Sequence, residues 1–105
     1  MIGIGKWKCG LATSLIKNEG IFEVYDDNGK YGFRLLEKDK NIPDYVVESI
    51  EENGENSLIS VITIPELSPG RKVYVHSHFD GDVVTGYIDI PIIGHIKITN
   101  GRRVI

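Results

Sequence analysis

The chain has a single cysteine, a single tryptophan and a single methionine, and no apolar run in it approaches the ~20 residues that span a bilayer. With one thiol, Cys9, an internal disulfide is excluded. No basic segment followed by an apolar stretch opens the chain as a signal peptide would, so a cytoplasmic location is expected. A basic surplus is also missing: 12 Lys and Arg stand against 15 Asp and Glu, for a net charge of −3. Proteins that grip a phosphate backbone carry the opposite balance on one face, so no nucleic acid is expected as a partner, and no membrane either. Gly-x-Ser-x-Gly, His-Glu-x-x-His, P-loop and dinucleotide fingerprints are all lacking. The sequence therefore names no reaction and no cofactor, and whether the chain is an enzyme is left open.

What is present is period-two alternation punctuated by turns. The 105 residues, 41% hydrophobic and 26% charged, fit one domain able to bury a core without staples. From Arg71 to Phe79, Val73, Val75 and Phe79 alternate with Lys72, Tyr74, His76 and His78, as in a half-buried strand. Asp80-Gly81-Asp82 marks a hairpin. Val83 to Ile90 returns with Val84, Ile88 and Ile90 opposite Thr85, Tyr87 and Asp89, and Gly94 to Thr99 alternates Ile96 and Ile98 with His95 and Lys97. Upstream, Lys6 to Ile16 places Trp7, Cys9, Leu11, Thr13 and Leu15 on one face, with Gly10 as a place to bend. Ile21 to Asp26 and Tyr31 to Glu37 flank the turn Asp27-Asn28-Gly29.

Residues 38–52 fit a short helix as well as a strand. The paired valines favour a loop to Asp44 and a strand from Tyr45 to Glu52. Ser57 to Ile64 is so nearly continuous in apolar residues that both its faces read as covered. Pro65 ends it, and Pro69-Gly70 turns the chain into the next strand. Eight strands at this spacing predict an all-β, antiparallel up-and-down barrel; a two-sheet sandwich and an open half-barrel that dimerises are the alternatives. Closing the sheet would remove its edges.

Gly5-Lys6-Trp7 at the start of the first strand resembles the Gly-x-Trp signature of the lipocalin, or calycin, superfamily, and Arg102-Arg103 follow the last strand where that superfamily places a cation across the indole. The triplet similar to Thr-Asp-Tyr that forms its second signature is missing. Phe79-Asp80-Gly81-Asp82 with Gly86 is similar to the corresponding turn and strand of small bacterial lipocalin-like domains. The resemblance implies a barrel with Trp7 near its base, tied to the last strand by a guanidinium worth about 0.5–2 kcal/mol, and a small hydrophobic or aromatic ligand inside.

The residues themselves offer three readings. Leu11, Phe22, Phe33, Ile62, Val75 and Ile88, on six different strands, are the candidate ligand-binding residues of an apolar interior; an eight-stranded barrel is just wide enough to hold one small ligand or to be filled by its own side chains. On the other face, Tyr74, His76, His78, Thr85, Tyr87, Asp89, His95 and Lys97 come together if neighbouring strands pair in simple register. Tyr74, His76 and Tyr87 are the candidate interface of a homo-oligomer or partner contact, against the plainer reading of cross-strand pairs on a solvated sheet. In the third reading His76 and His78, ~6–7 Å apart at the backbone, hold a divalent metal with His95 or Asp82. Gly70, His76-Ser77-His78 and Asp82, with Pro91, Gly94, His95 and Asn100, resemble the two cupin motifs, which would imply an isomerase or oxygenase. Cys9 reads as a small buried hydrophobe.

Overall fold

A computed structural model describes residues 1–13, 19–37, 44–65, 72–91 and 93–104. Eight strands follow one another: β1 (Gly5–Leu11), β2 (Gly20–Asp27), β3 (Lys30–Glu37), β4 (Val46–Glu52), β5 (Ser57–Thr63), β6 (Lys72–Asp80), β7 (Val83–Ile90) and β8 (Gly94–Arg103). Every pairing is antiparallel, and the order across the sheet is β3-β2-β1-β8-β7-β6-β5-β4. The sheet curls into a nearly closed up-and-down barrel. Of residues 38–52, where helix and strand competed, the part from Val46 to Glu52 is extended, 38–43 lie outside the described residues, and no helix occurs among the described residues. β1 ends at Leu11, with Ala12 and Thr13 in a bend, so the strand is shorter than the run expected to Ile16. The rest of that run, the loop expected before Asp44 and the turn at Pro69-Gly70 lie outside the described residues.

The first and last strands close the sheet, as the terminal position of Trp7 and the arginines predicts: Trp7 faces Arg103 and Leu11 faces Ile98. The edges do not vanish, however. β3 and β4 remain unpaired by backbone, and side chains hold the seam between them. Tyr31 of β3 donates its hydroxyl proton to Glu52 Oε2 of β4 at 2.5 Å while accepting from the Ile2 N–H at 2.7 Å. Tyr45 sets its ring edge-on to Phe33, 6.1 Å between centroids, and its hydroxyl accepts the Leu35 N–H at 3.0 Å. These bonds satisfy part of what the ladder leaves open.

β8 is longer than its alternation indicates. It runs past Thr99 to Arg103 because Asn100, in the left-handed region at φ 52°, forms a bulge. Lys8 faces Arg102 while Gly10 faces Thr99, so two steps on β1 match three on β8. One extra residue reverses the alternation beyond it. Ile96 and Ile98 point inward before the bulge, and Gly101 and Arg103 do so after it; without it Arg102 would be the inward arginine. Gly101 is required at its place, because a Cβ there would collide with the Val84 carbonyl.

One end of the barrel is solid. Trp7, fully buried, packs with Phe22, Val24, Leu58, Phe79 and Val84, its ring 4.9 Å from that of Phe79. Burying a ring of that size contributes roughly 4–6 kcal/mol before entropy is counted. The indole N–H donates to the Gly3 carbonyl at 2.9 Å. Arg103 covers the indole face from 4.3 Å, its Nη1 donates to the Ile4 carbonyl at 2.9 Å and its Nε to Asp82 Oδ1 at 3.1 Å. The tight connections 28–29, 53–56 and 81–82 lie at this end with Gly3 and Val104. The strand ends Leu11, Gly20, Glu37, Val46, Thr63, Lys72, Ile90 and Gly94 lie at the other.

Candidate functional site

Away from Trp7 the inward side chains are shorter and the interior is not filled. Strand alternation aims Leu11, Val75, Ile88 and Ile90 at the axis, yet they are only half-buried. An inward residue that keeps exposed surface lines a void. That void is a cavity of about 220 Å³, to which all eight strands contribute.

All six residues expected to face a ligand line it: Leu11, Phe22, Phe33, Ile62, Val75 and Ile88. The regular alternation that identified them holds because no bulge falls between them and the rest of the inward face of their strands. Phe22 and Phe33, with ring centroids 5.5 Å apart, form the wall nearest the seam, joined there by Tyr45 and Ile50. Among the described residues no Asp, Glu, Lys, Arg or His lines the cavity.

No protein-family model, curated protein or solved structure matches the chain. What the site can do rests on its geometry.

Sequence reasoning missed the polar atoms of the wall. Ser60 and Ser77, 6% and 9% exposed, line the cavity from β5 and β6. Ser60 faces Val75 across the pair and Leu58 faces Ser77, so the serines are diagonal neighbours on the inward face. Their signal was present: Ser60 alternates with Leu58 and Ile62, and Ser77 with Val75 and Phe79. The near-continuous apolar reading of β5 hid the first of them. Its outward Ile59 and Val61 are half-buried, so the outer face is less covered than that reading implies. Cys9 also lines the cavity and is only partly buried. Desolvation, and secondarily the negative charge of Glu19, push its thiol up to about 11, so it is protonated and neutral at pH 7.

The outer wall of β6, β7 and β8 gathers the polar group as simple register predicts. His76 stands opposite Tyr87, Tyr74 opposite Asp89, and Asp89 opposite His95. The rings form a continuous stack: His76 and Tyr87 are 4.3 Å apart and nearly parallel, and Tyr87 and His95 are 4.7 Å apart. His95 Nε2 is 3.6 Å from Asp89 Oδ1. Tyr87 therefore separates two of the three histidines proposed as metal ligands, and His78 is turned to Ser57, with Nδ1 2.8 Å from Oγ. Asp82, the other candidate ligand, is bound to Arg103. Among the described residues no three His, Cys, Asp or Glu side chains gather to hold a metal ion. None of the described helices is long and apolar enough to cross a membrane, since there are none.

Proposed function

We propose that this domain is a lipocalin-like binding module that takes one small hydrophobic or aromatic molecule into the apolar half of its barrel. The observation that carries the reading is the cavity of about 220 Å³, bounded by apolar side chains from every strand, in a protein whose opposite half is packed solid. Small-molecule sites are concave, mostly apolar and largely preformed. An apolar cavity of ~150 Å³ already holds benzene. Trp7 and Arg103 lock the closed end in the manner that the Gly-x-Trp resemblance implies, and ligand exchange is thereby left to the other end or to the β3/β4 seam.

A ligand that binds only the folded state raises its stability by RT ln(1 + [L]/Kd), about 2.7 kcal/mol at a hundredfold excess over Kd. Thermal unfolding with propylbenzene near its solubility limit is the test. A rise in midpoint that is lost when Val75→Trp plugs the cavity supports the reading; no rise for the folded wild type defeats it.

The outer face supports a second reading, in which the domain associates with itself or with a partner. Stacked His76, Tyr87 and His95 lie beside Tyr74 and the half-buried Ile59 and Val61, a mixture of rings and apolar groups typical of contact surfaces. Sedimentation of wild type against Tyr74→Glu, Tyr87→Ala distinguishes a dimer, which the variant dissociates, from a monomer unaffected by it.

A further inference from the structure

We propose that the cavity selects an uncharged ligand of ~9 non-hydrogen atoms that carries one hydrogen-bonding oxygen, a hydroxyl or carbonyl, held between Ser60 and Ser77. The inference rests on the binding reading above and goes on to name the chemistry of the ligand. Its size follows by proportion from the ~150 Å³ that accommodates the six carbons of benzene.

The two serines carry the polar half of the argument. Both are more than nine-tenths buried, both line the cavity, and neither hydroxyl has a hydrogen-bond partner among the described residues. Among the described residues no fully enclosed polar side-chain atom lacks a partner, so these oxygens reach open space, and the space that they reach is the cavity. A buried hydroxyl left unpaired costs free energy, and native interiors rarely tolerate it. Any bond that Ser60 and Ser77 make must therefore come from what occupies the cavity. Diagonal neighbours on adjacent strands sit ~7–8 Å apart at the backbone, with side chains pointing the same way. One hydroxyl between them can donate to one and accept from the other.

The absence of counter-charge carries the other half. No charged side chain among the described residues lines the cavity, and Arg103, the inward guanidinium, is spent on Trp7, Ile4 and Asp82 at the closed end. A carboxylate or ammonium entering would lose its hydration with nothing to replace it. Fatty acids and amines are thereby disfavoured, although the apolar walls alone would accept their tails.

One molecular frame separates the possibilities: propylbenzene, 3-phenylpropan-1-ol, 3-phenylpropanoate and 3-phenylpropylamine, titrated calorimetrically into the wild-type protein at pH 7. The alcohol is expected to bind about fivefold more tightly than propylbenzene, and the two ions at least ~100-fold more weakly than the alcohol. In Ser60→Ala and Ser77→Ala, each made singly and checked for its β-sheet spectrum, the alcohol-to-propylbenzene ratio should fall toward one. Propanoate or amine binding on a par with the alcohol overturns the inference while leaving the cavity a binding site. So does a ratio that both serine variants keep. Failure of all four to bind overturns the binding reading itself.

Discussion

Arg103→Ala and Arg102→Ala should differ sharply, although the two arginines are adjacent and the sequence alone gives no ground for preferring one. Past the bulge at Asn100, Arg103 lies over the fully buried Trp7 at 4.3 Å and donates to the Ile4 carbonyl, and its side chain is 34% exposed. The stack is worth ~1 kcal/mol at this partial burial, and the charge-assisted bond to Ile4 adds ~1–2. The pair with Asp82 adds only a few tenths, roughly, since that carboxylate is 78% exposed. Truncation at 103 should therefore cost about 2–3 kcal/mol, which for a domain of this size lowers the melting midpoint by roughly 8–20 °C. Arg102 is more exposed and, among the described residues, pairs only with Glu19, at 4.0 Å; its truncation should cost less than about 0.5 kcal/mol. Urea unfolding followed by Trp7 fluorescence measures both. Equal losses, or a larger one at Arg102, would refute the register assigned to β8 beyond the bulge.

Three further outcomes follow from the same geometry. Gly101→Ala, with its Cβ driven into the Val84 carbonyl, and Gly86→Ala, which meets the His76 carbonyl from φ 149°, should each cost ~3 kcal/mol or more in urea unfolding. The Cys9 thiol is raised from 9.0 to about 11 by burial. Between those values the unfolded chain has lost the proton and the folded one keeps it, so stability is complete below pH 9 and falls as pH rises toward 11; Cys9→Ala should flatten that limb in unfolding at graded pH. Tyr31, also raised by desolvation and by Glu52, adds to the alkaline decline in the same direction. Tyr31→Phe should cost about 1 kcal/mol and speed amide exchange at the facing edges of β3 and β4 more than elsewhere in the barrel.

The barrel was legible because its strands keep period two almost throughout. Asn28-Gly29 between Phe22 and Phe33, and Asp80-Gly81 between Val75 and Ile88, are tight turns that fix the register of those pairs. Ile62 follows from the alternation of its own strand, and the outer group from Tyr74 to Lys97 follows from the same count. Legibility failed where one residue broke the period. The extra residue at Asn100 extends β8 and decides between Arg102 and Arg103, and local sequence there reads equally well as a turn. The β3/β4 seam was invisible for another reason. Its bonds, Tyr31 to Glu52 and Tyr45 to the Leu35 amide, join residues with no local pattern between them. Ser60 and Ser77 were legible by position, but that their hydroxyls find no partner among the described residues is a property of the packed interior.

Methyl-resolved NMR of the isoleucine, leucine and valine side chains during titration with 3-phenylpropan-1-ol tests the central claim most directly. The account predicts saturable shifts at one equivalent, concentrated on Leu11, Ile62, Val75 and Ile88 and abolished by Val75→Trp. Shifts confined to the outward Ile59 and Val61, or no shift in a folded protein at the solubility limit of the probe, would contradict it.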